Sequence, residues 1–256
     1  MTIEAKILLD SINEVGNRLT TFQLRYPRFI HPEALTHRVF SRNASSSRAI
    51  PVSRLIQDIL RDPAVPIHIG ANQRGMQARN ELSGWRRKAL LGIWHASRYA
   101  AVVAAWLADK VGAHKQIVNR LCEGHGHINV VLTATEFDNF FDLRLHPDAQ
   151  PEIQALARAM RLAMDASTPA PRLWHIPYVD EDLDVSEALK VSAARCARVS
   201  YMTHDGRKST IEEDLALAER LLESKHMSPF EHQAIAVESS TQHANLVGWI
   251  QQRHIL

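Results

Sequence analysis

The sequence predicts an α+β fold in which a mixed or antiparallel sheet is flanked by helices. The first observation is a pair of β-rich segments, Ala5–Ile12 and Arg18–Phe29, separated only by the glycine-containing stretch Asn13–Asn17. The second is helical periodicity in several later segments, where apolar residues recur every three or four positions. The third is that neither a GxGxxG nor a GxxxxGK(S/T) motif occurs, so a Rossmann or P-loop nucleotide site is unsupported.

The composition is that of an ordinary globular chain. Of the 256 residues, 45% are hydrophobic, the formal net charge is +2, and two are cysteines. This balance gives no whole-chain argument for nucleic-acid or membrane binding and no disulfide framework. The longest apolar run, Tyr99–Ala108, is too short to span a bilayer, and the first residues do not resemble a signal peptide. We therefore expect a cytoplasmic enzyme or binding protein.

The elements of the first half follow from local patterns. The two β-rich segments are predicted to be strands joined by the turn. After them, four polar residues spaced three or four apart would share one face of a helix, namely Arg38, Ser41, Ser45 and Arg48. Three consecutive serines weaken that helix. Pro51 then permits a helix over Val52–Leu60, and the proline- and glycine-containing residues 63–77 are predicted to be a loop.

The later elements are predicted in the same way. A long helical pattern covers Arg79–Val111, and its expected core-facing residues are Leu90, Ile93, Trp94, Val102 and Trp106. The β-branched segment His127–Thr135 is predicted to be a strand, and Pro151–Ala166 an amphipathic helix.

The last third of the chain follows a linker marked by Pro169 and Pro171. We expect one domain over residues 1–256, built from a longer segment, 1–168, and a shorter one, 169–256. Ser209 and Glu212 form a capping-box pattern before a helix over Ile211–Lys225. The segment EHQAIAVE (231–238) ends in a short strand pattern.

Arginines are concentrated near the N-terminus. Residues 17–62 contain eight arginines, no lysine and three acids, and the arginines in Thr36–Pro51 lie among many hydroxyl side chains. Arginine presents a planar fork that matches phosphate oxygens in pairs, whereas lysine is a point charge. The local chemistry therefore favours a phosphorylated ligand. A solvated basic face and a nucleic-acid patch are the alternatives, although the chain shows no known nucleic-acid-reading motif.

Four segments resemble the motifs of flavin-dependent thymidylate synthases. The family's arginine signature is matched in Thr36–Arg48 at His37, Arg38, Ser41, Asn43, Ser46 and Arg48. The segment SPFEH (228–232) is similar to the family's flavin-binding segment, and ARVSY (197–201) to another of its motifs. Asn139–Arg144, followed by AQPEI, resembles a segment near the family's C-terminus. Together the four segments make a chance match very improbable.

The order of these segments differs from that of the family. ARVSY and SPFEH come first in the family, whereas here they follow the arginine signature, which suggests a circular permutation. Permutation is tolerated when the original termini lie close together. It predicts that EHQAIAVE ends beside the strand leading into FQLRYPRF (22–29). The final GWIQQRH (248–254) matches nothing in the family pattern.

The resemblance implies reductive methylation of a pyrimidine deoxynucleotide at C5, by default dUMP to dTMP. The implied cofactors are FAD, NADPH and methylenetetrahydrofolate, and the implied assembly is a homotetramer with its sites between protomers. The implied cofactor-binding residues are His37, Arg38, Asn43, Asn139, Ser200, His226, Ser228 and Glu231. The implied substrate-binding residues are Glu33, Ser46, Arg48, Arg120 and Arg144.

Two of these residues are candidate catalytic residues. Arg144 would meet the pyrimidine ring from another subunit and stabilise negative charge that builds on it. Ser46 would act by hydrogen bonding, because no base partner for a nucleophile can be named. Arg48 would hold the phosphate, with Arg120 as a second-subunit phosphate contact. No cysteine attacks the base in this family, so Cys122 and Cys196 are expected to be small core residues.

Several positions depart from the family pattern. Thr36 replaces its first arginine, Ala44 its glutamate, and Glu33 its glutamine. A carboxylate accepts from an exocyclic amine such as cytosine N4, but it would repel uracil O4 unless protonated. Two alternatives therefore stay open. The same scaffold could act on dCMP or leave a hydroxymethyl group, or the protein could be a non-catalytic homologue that binds nucleotides or nucleic acid.

A metal site is not expected. Cys122, His125 and His127 form a C-x2-H-x-H run, but no fourth ligand accompanies them. A polar turn is the better interpretation of this run.

Overall fold

A computed structural model gives the fold and describes residues 1–200, 202–203 and 206–256. Its strands are β1 (Glu4–Ile12), β2 (Arg18–Pro27), β3 (Ser41–Ala44), β4 (His127–Ala134), β5 (Ala170–Pro171), β6 (Trp174–His175), β7 (Ala234–Ala236), β8 (Gln242–His243), β9 (Leu246–Val247) and β10 (Trp249–Gln251). Its α-helices are α1 (His31–Ala34), α2 (Val52–Arg61), α3 (Gly84–Lys110), α4 (Lys115–Val118), α5 (Asp138–Arg144), α6 (Pro151–Asp165), α7 (Val185–Arg198) and α8 (Ile211–Glu223). Short 3-10 helices cover Arg28–Ile30, Asn119–His125, Ser228–Glu231 and Gln252–His254.

The main sheet is mixed, as the sequence predicts. Its strand order is β3-β4-β2-β1-β5. The pairs β1–β2, β2–β4 and β3–β4 are antiparallel, whereas β1–β5 is parallel. Helices flank this sheet, because α6 packs against β1 and β2 while the end of α7 packs against β3. The predicted α+β class is therefore confirmed.

Period-two alternation in the central strands builds two different faces. Phe22, Leu24 and Tyr26 of β2 are buried on one face with Ile128 and Val130 of β4, in the core that includes α5 and α6. Successive side chains of a strand point to opposite faces, so the intervening residues face α7. Burying one such apolar side chain contributes roughly 1.5–3 kcal/mol. The large core on the first face therefore fixes the register of the whole sheet.

The arginine-rich segment does not form the helix that its spacing allows. Ser41–Ala44 instead pairs with β4, from Ser41 opposite Thr133 to Ala44 opposite Val130. Serine and asparagine are weak helix formers, and β4 supplies a free edge that satisfies their backbone groups. The helical interpretation of this segment was wrong.

The long helix α3 differs from its prediction in where it begins and in which side chains it buries. It begins at Gly84 rather than Arg79. Val102 is buried as expected, but Ile93 and Trp106 are exposed to 65% and 51%. Periodicity marks an apolar face without saying what covers it. Among the described residues, no helix is long and apolar enough to cross a membrane.

The capping box of α8 lies one residue later than predicted. Thr210 is the N-cap and accepts from the Glu213 backbone N–H, while the Glu213 side chain accepts from the Thr210 backbone N–H. Ser209 is buried instead and donates to Asp214 Oδ2 at 3.1 Å. The helix itself is confirmed, ending at Glu223.

The end of EHQAIAVE lies beside the turn that precedes β2. Asn13 Nδ2 donates to the carbonyl oxygen of Val237 at 3.1 Å and to that of Gly248 at 2.9 Å. Trp249 Nε1 donates to the Asn17 carbonyl oxygen at 3.1 Å. The proximity that a permutation requires is therefore present. The permutation itself and the single-domain organisation with a boundary near residue 168 stay predictions.

Candidate functional site

The last residue of α5, Arg144, joins two of the four motif segments. Its Nε donates to His37 Nε2 at 2.9 Å, and one terminal nitrogen donates to Thr36 Oγ1 at 3.0 Å. The other terminal nitrogen lies 3.4 Å from Glu33 Oε2. These contacts join residues that lie more than 100 positions apart in the sequence. Glu33, His37 and Arg144, which were all predicted from the sequence, thus lie together. With Thr36 they form a group that we call the Arg144 cluster.

Burial and charge set the ionisation of this cluster. Burial lowers the pKa of His37, and the neighbouring guanidiniums of Arg144 and Arg42 lower it further. A neutral imidazole agrees with the geometry, in which His37 Nε2 accepts a hydrogen bond. Burial also raises the pKa of the Glu33 carboxyl, against the opposing effect of Arg144. Glu33 is therefore more easily protonated than an ordinary glutamate.

The loop that carries His37 is held from two sides. Arg42 donates to the carbonyl oxygens of Ala34 and His37, at 3.0 and 2.9 Å. The Phe140 ring of α5 packs edge-on against the His37 ring, with centroids 4.9 Å apart. Arg42 thus has a structural role, and His37 has one defined orientation.

Asn43 connects the arginine signature to the ARVSY segment. Its Nδ2 donates to the Cys196 carbonyl oxygen at 3.4 Å, while its buried Oδ1 has no hydrogen-bond partner in the part of the chain that the structure describes. Beyond Cys196, Val199 has a φ of 58°, which is strained for a β-branched residue. This left-handed turn sets the direction of the half-buried Ser200. Tyr201, the last residue of the motif, lies outside the described residues.

The SPFEH segment meets the arginine signature through the C-terminal segment. Gln251 Nε2 donates to Ser41 Oγ and to the Glu231 carbonyl oxygen, each at 2.8 Å. The Glu231 carboxylate forms an ion pair with Arg253. The sequence assigned no role to Gln251 and Arg253, because the GWIQQRH segment that contains them matches nothing in the family pattern.

A buried hydrogen-bonded chain runs beneath SPFEH across the α7-facing side of the sheet. Ser11 Oγ contacts His175 Nδ1 at 2.8 Å, and His175 Nε2 contacts Thr21 Oγ1 at 2.7 Å. Thr21 Oγ1 contacts Thr133 Oγ1 at 2.7 Å, and Thr133 Oγ1 contacts His232 Nδ1 at 2.8 Å. Burial lowers the pKa of both histidines to about 3. Both imidazoles are therefore neutral, and His232 is anchored to the centre of the sheet.

Two predicted phosphate contacts share a surface cavity. Arg48 and Arg120 line an open cavity of about 470 Å³ together with Gln116, Ile117 and Leu121. Arg120 lies 3.8 Å from Glu123 Oε2 and is 63% exposed. Both guanidiniums are therefore accessible to a ligand within one chain, whereas the resemblance implied contacts from two subunits.

The remaining predicted residues are more loosely placed. Arg38, Ser46, Asn139, His226 and Ser228 are exposed. Ser47, next to Ser46, is buried and donates to Glu123 Oε1 at 2.6 Å. The fold therefore fixes the hydroxyl group of Ser47 and not that of the predicted Ser46. His226 Nδ1 lies 3.3 Å from Ser224 Oγ. Within the described residues, no group of three His, Cys, Asp or Glu side chains is placed to hold a metal ion.

Comparison with known proteins identifies the fold. No protein-family model matches the chain, and no curated protein matches it by sequence. The UMP/dUMP methylase PolB from Streptomyces cacaoi, solved with 5-bromo-UMP, aligns with a TM-score of 0.51 and 15% identity over 64% of this chain and 88% of that chain. The chain shares the fold of PolB.

A second structure of PolB, with 5-bromo-dUMP, aligns with a TM-score of 0.48 and 18% identity. The alignment covers 57% of this chain and 66% of that chain, just under two thirds of its length. At these identities the likeness to PolB concerns the fold of the aligned residues alone.

Proposed function

We propose that this protein is a flavin-dependent enzyme that methylates C5 of a pyrimidine nucleotide, with dUMP as the default substrate. The observation that carries the proposal is the convergence of the motif segments. Arg144 contacts His37, Asn43 contacts Cys196 directly before ARVSY, and Gln251 joins Ser41 to Glu231. These contacts bring together segments that are far apart in sequence, which supports the proposal that they form one site.

The shared fold gives separate support. PolB is a UMP/dUMP methylase, and the structure that shares the fold holds 5-bromo-UMP. A fold can host many functions, so this support has weight only together with the matching residues. Both point to a pyrimidine nucleotide as the substrate.

One unpartnered buried atom supports a flavin dinucleotide at this site. Asn43 Oδ1 is a buried acceptor that lacks a partner among the described residues, and such atoms in native proteins usually meet a ligand or water. We assign FAD contacts to His37, Arg38, Asn43, Asn139, Ser200, His226, Ser228 and Glu231. When bound, FAD reduced by NADPH would supply a hydride, and methylenetetrahydrofolate would supply the carbon.

The chain's own residues would bind and polarise the nucleotide. Arg48 and Arg120 would hold the phosphate at their shared cavity. Arg144 would stabilise negative charge on the pyrimidine ring, and Ser46 would donate a hydrogen bond to the nucleotide. His37 and Thr36 hold the Arg144 guanidinium, so little reorganisation would be needed when charge develops.

A homotetramer is part of the proposal. Trp85, Tyr99, Val103 and Leu107 of α3 are each more than half exposed, and contiguous exposed apolar surface of this kind is typical of protein interfaces. Arg144 of one protomer would then complete the site of another, and the exposed Arg38 and Asn139 would be covered on assembly.

A second substrate, dCMP, is favoured by Glu33. Its carboxylate lies beside the Arg144 guanidinium, which sets an acceptor next to donors. This arrangement suits the N4 amine and N3 of cytosine. The raised pKa of Glu33 also allows a neutral carboxyl that donates to uracil O4.

The function is tested by measuring dTMP formation with FAD, NADPH, methylenetetrahydrofolate and dUMP. Wild type should form dTMP, and Arg144→Gln should lose at least about a hundredfold in rate, the usual cost of removing one such charge-stabilising donor. Arg158→Gln is the matched control, because Arg158 is exposed on α6 and contacts Gln154. Wild-type protein that binds nucleotide but neither takes up FAD nor forms product would favour the non-catalytic alternative.

A further inference from the structure

The C-terminal segment Gly248–His254 lies against two of the motif segments. β10 pairs with β7 directly after SPFEH, with Gln251 opposite Ala234. The Gln252 backbone N–H donates to the Gln233 carbonyl oxygen at 2.9 Å. Gln251 is buried and bridges Ser41 and Glu231. These contacts fix the backbone that carries Arg253.

Arg253 is placed at Glu231 with hydrogen-bonding capacity to spare. One terminal nitrogen pairs with Glu231 Oε1, and the guanidinium keeps further N–H donors. The Arg253 side chain is 45% exposed, whereas that of Glu231 is 15% exposed. The pair therefore covers the carboxylate and presents the guanidinium to solvent.

Arg253 is the accessible guanidinium next to Glu231. Burial lowers the pKa of Arg42, and the charge of Glu231 only partly opposes that effect. Arg42 is also committed to the carbonyl oxygens of Ala34 and His37. Arg253 is therefore the guanidinium that a ligand at Glu231 would meet.

We propose that Arg253 is a ligand-contacting residue that binds a phosphate oxygen of the flavin dinucleotide held at Glu231. A guanidinium fork matches phosphate oxygens in geometry and charge, and the Arg253 guanidinium keeps N–H donors that Glu231 does not use. The inference rests on the proposed flavin site. The proposed contact comes from the C-terminal segment Gly248–His254. Neither the arginine signature nor SPFEH supplies it.

The test compares FAD with riboflavin, which has the same ring system but no phosphate. Binding is followed by flavin fluorescence for wild type, Arg253→Gln and the control Arg220→Gln. Arg220 is an exposed arginine of α8 whose side chain donates a hydrogen bond to the Ala216 carbonyl oxygen. We expect Arg253→Gln to weaken FAD binding about tenfold or more, the usual effect of losing a charged hydrogen bond. Riboflavin binding should stay the same in all three proteins.

The salt dependence of FAD affinity separates a phosphate contact from a purely structural role, because a structural role would not change it. FAD affinity of wild type should fall as NaCl rises, because salt screens charges that solvent reaches, and Arg253→Gln should show a shallower dependence. Equal FAD affinities in Arg253→Gln and Arg220→Gln would overturn the assignment. Equal losses for FAD and riboflavin would also overturn it, since the residue would then act on the ring or on the fold.

Failure of the flavin proposal is distinguishable from failure of this inference. If wild type takes up neither flavin, the flavin proposal fails, and inorganic pyrophosphate becomes the probe in calorimetry. Pyrophosphate binding by wild type that Arg253→Gln loses would support the phosphate contact. Wild type that binds no pyrophosphate either would overturn both.

Discussion

Replacing Asp214 with asparagine is expected to destabilise the protein through a buried ion network. Asp214 is fully buried at the start of α8 and accepts from Arg195 Nε at 2.8 Å, from Arg198 and from Ser209 Oγ. Arg195 is only 1% exposed. The network ties α7, which ends in ARVSY, to α8, which leads to SPFEH.

The magnitude follows from weakening the charged hydrogen bonds that Asp214 accepts. Arg195 keeps its ion pair with Glu181 at 2.8 Å, and the asparagine amide oxygen can still accept, so the expected cost is that of losing a charged hydrogen bond, about 1.5–3 kcal/mol. For a chain of this size each kcal/mol lowers the melting temperature by roughly 2–4 °C. Asp214→Asn should therefore melt about 3–12 °C below wild type.

The assay is thermal unfolding followed by circular dichroism, with Glu213→Gln as the matched control. Glu213 lies on the same helix, pairs with Arg207 at the surface, and keeps its capping box as glutamine. The control should change the melting temperature much less than Asp214→Asn. Equal melting temperatures for wild type and Asp214→Asn would refute the reasoning, because Asp214 would then not be the buried partner of both arginines.

Four further outcomes are expected. Burial lowers the pKa of His232 to about 3, below the value of about 6.5 in an unfolded chain, so stability should fall by up to about 1.4 kcal/mol per pH unit as pH drops from 6.5 towards 3. In urea unfolding, His232→Gln should flatten this slope and His226→Gln should not. Glu33→Gln should shift preference towards dUMP over dCMP by about tenfold or more in a competition assay; an unchanged ratio would remove Glu33 from base recognition. Arg48→Gln should raise the KM for dUMP about tenfold without changing FAD affinity, and equal losses for both ligands would contradict a phosphate role. Burial raises the pKa of the Cys196 thiol, so Cys196→Ala should keep its turnover, and abolished turnover in a folded variant would point to an attacking thiol.

The parts of the fold that local patterns determine were predictable. β1, β2 and β4 alternate or are β-branched, and α6 carries a regular apolar stripe. Ile153, Leu156 and Met160 of that stripe are buried, whereas Met164 is half-buried. In the candidate site, His37, Arg144 and Glu33 were named from sequence, and the fold brings them together.

The parts that depend on distant partners were not predictable. β3 is a strand because the edge of β4 is available to it, and nothing within SRNASSSR indicates that edge. Ile93 of α3 is apolar yet exposed, because its facing depends on what lies beyond the helix. Arg253 could not be placed near Glu231 from the sequence, because only the pairing of β7 with β10 brings the two residues together.

One measurement tests the central claim most directly. Nucleotides are analysed by mass spectrometry after incubation of the protein with FAD, NADPH, methylenetetrahydrofolate and an equal mixture of dUMP and dCMP, and FAD, NADPH and the folate are each omitted in parallel. We predict a methylated pyrimidine nucleotide, by default dTMP, that disappears in every omission. Unchanged nucleotides in the complete mixture, from protein that holds FAD, would contradict the account.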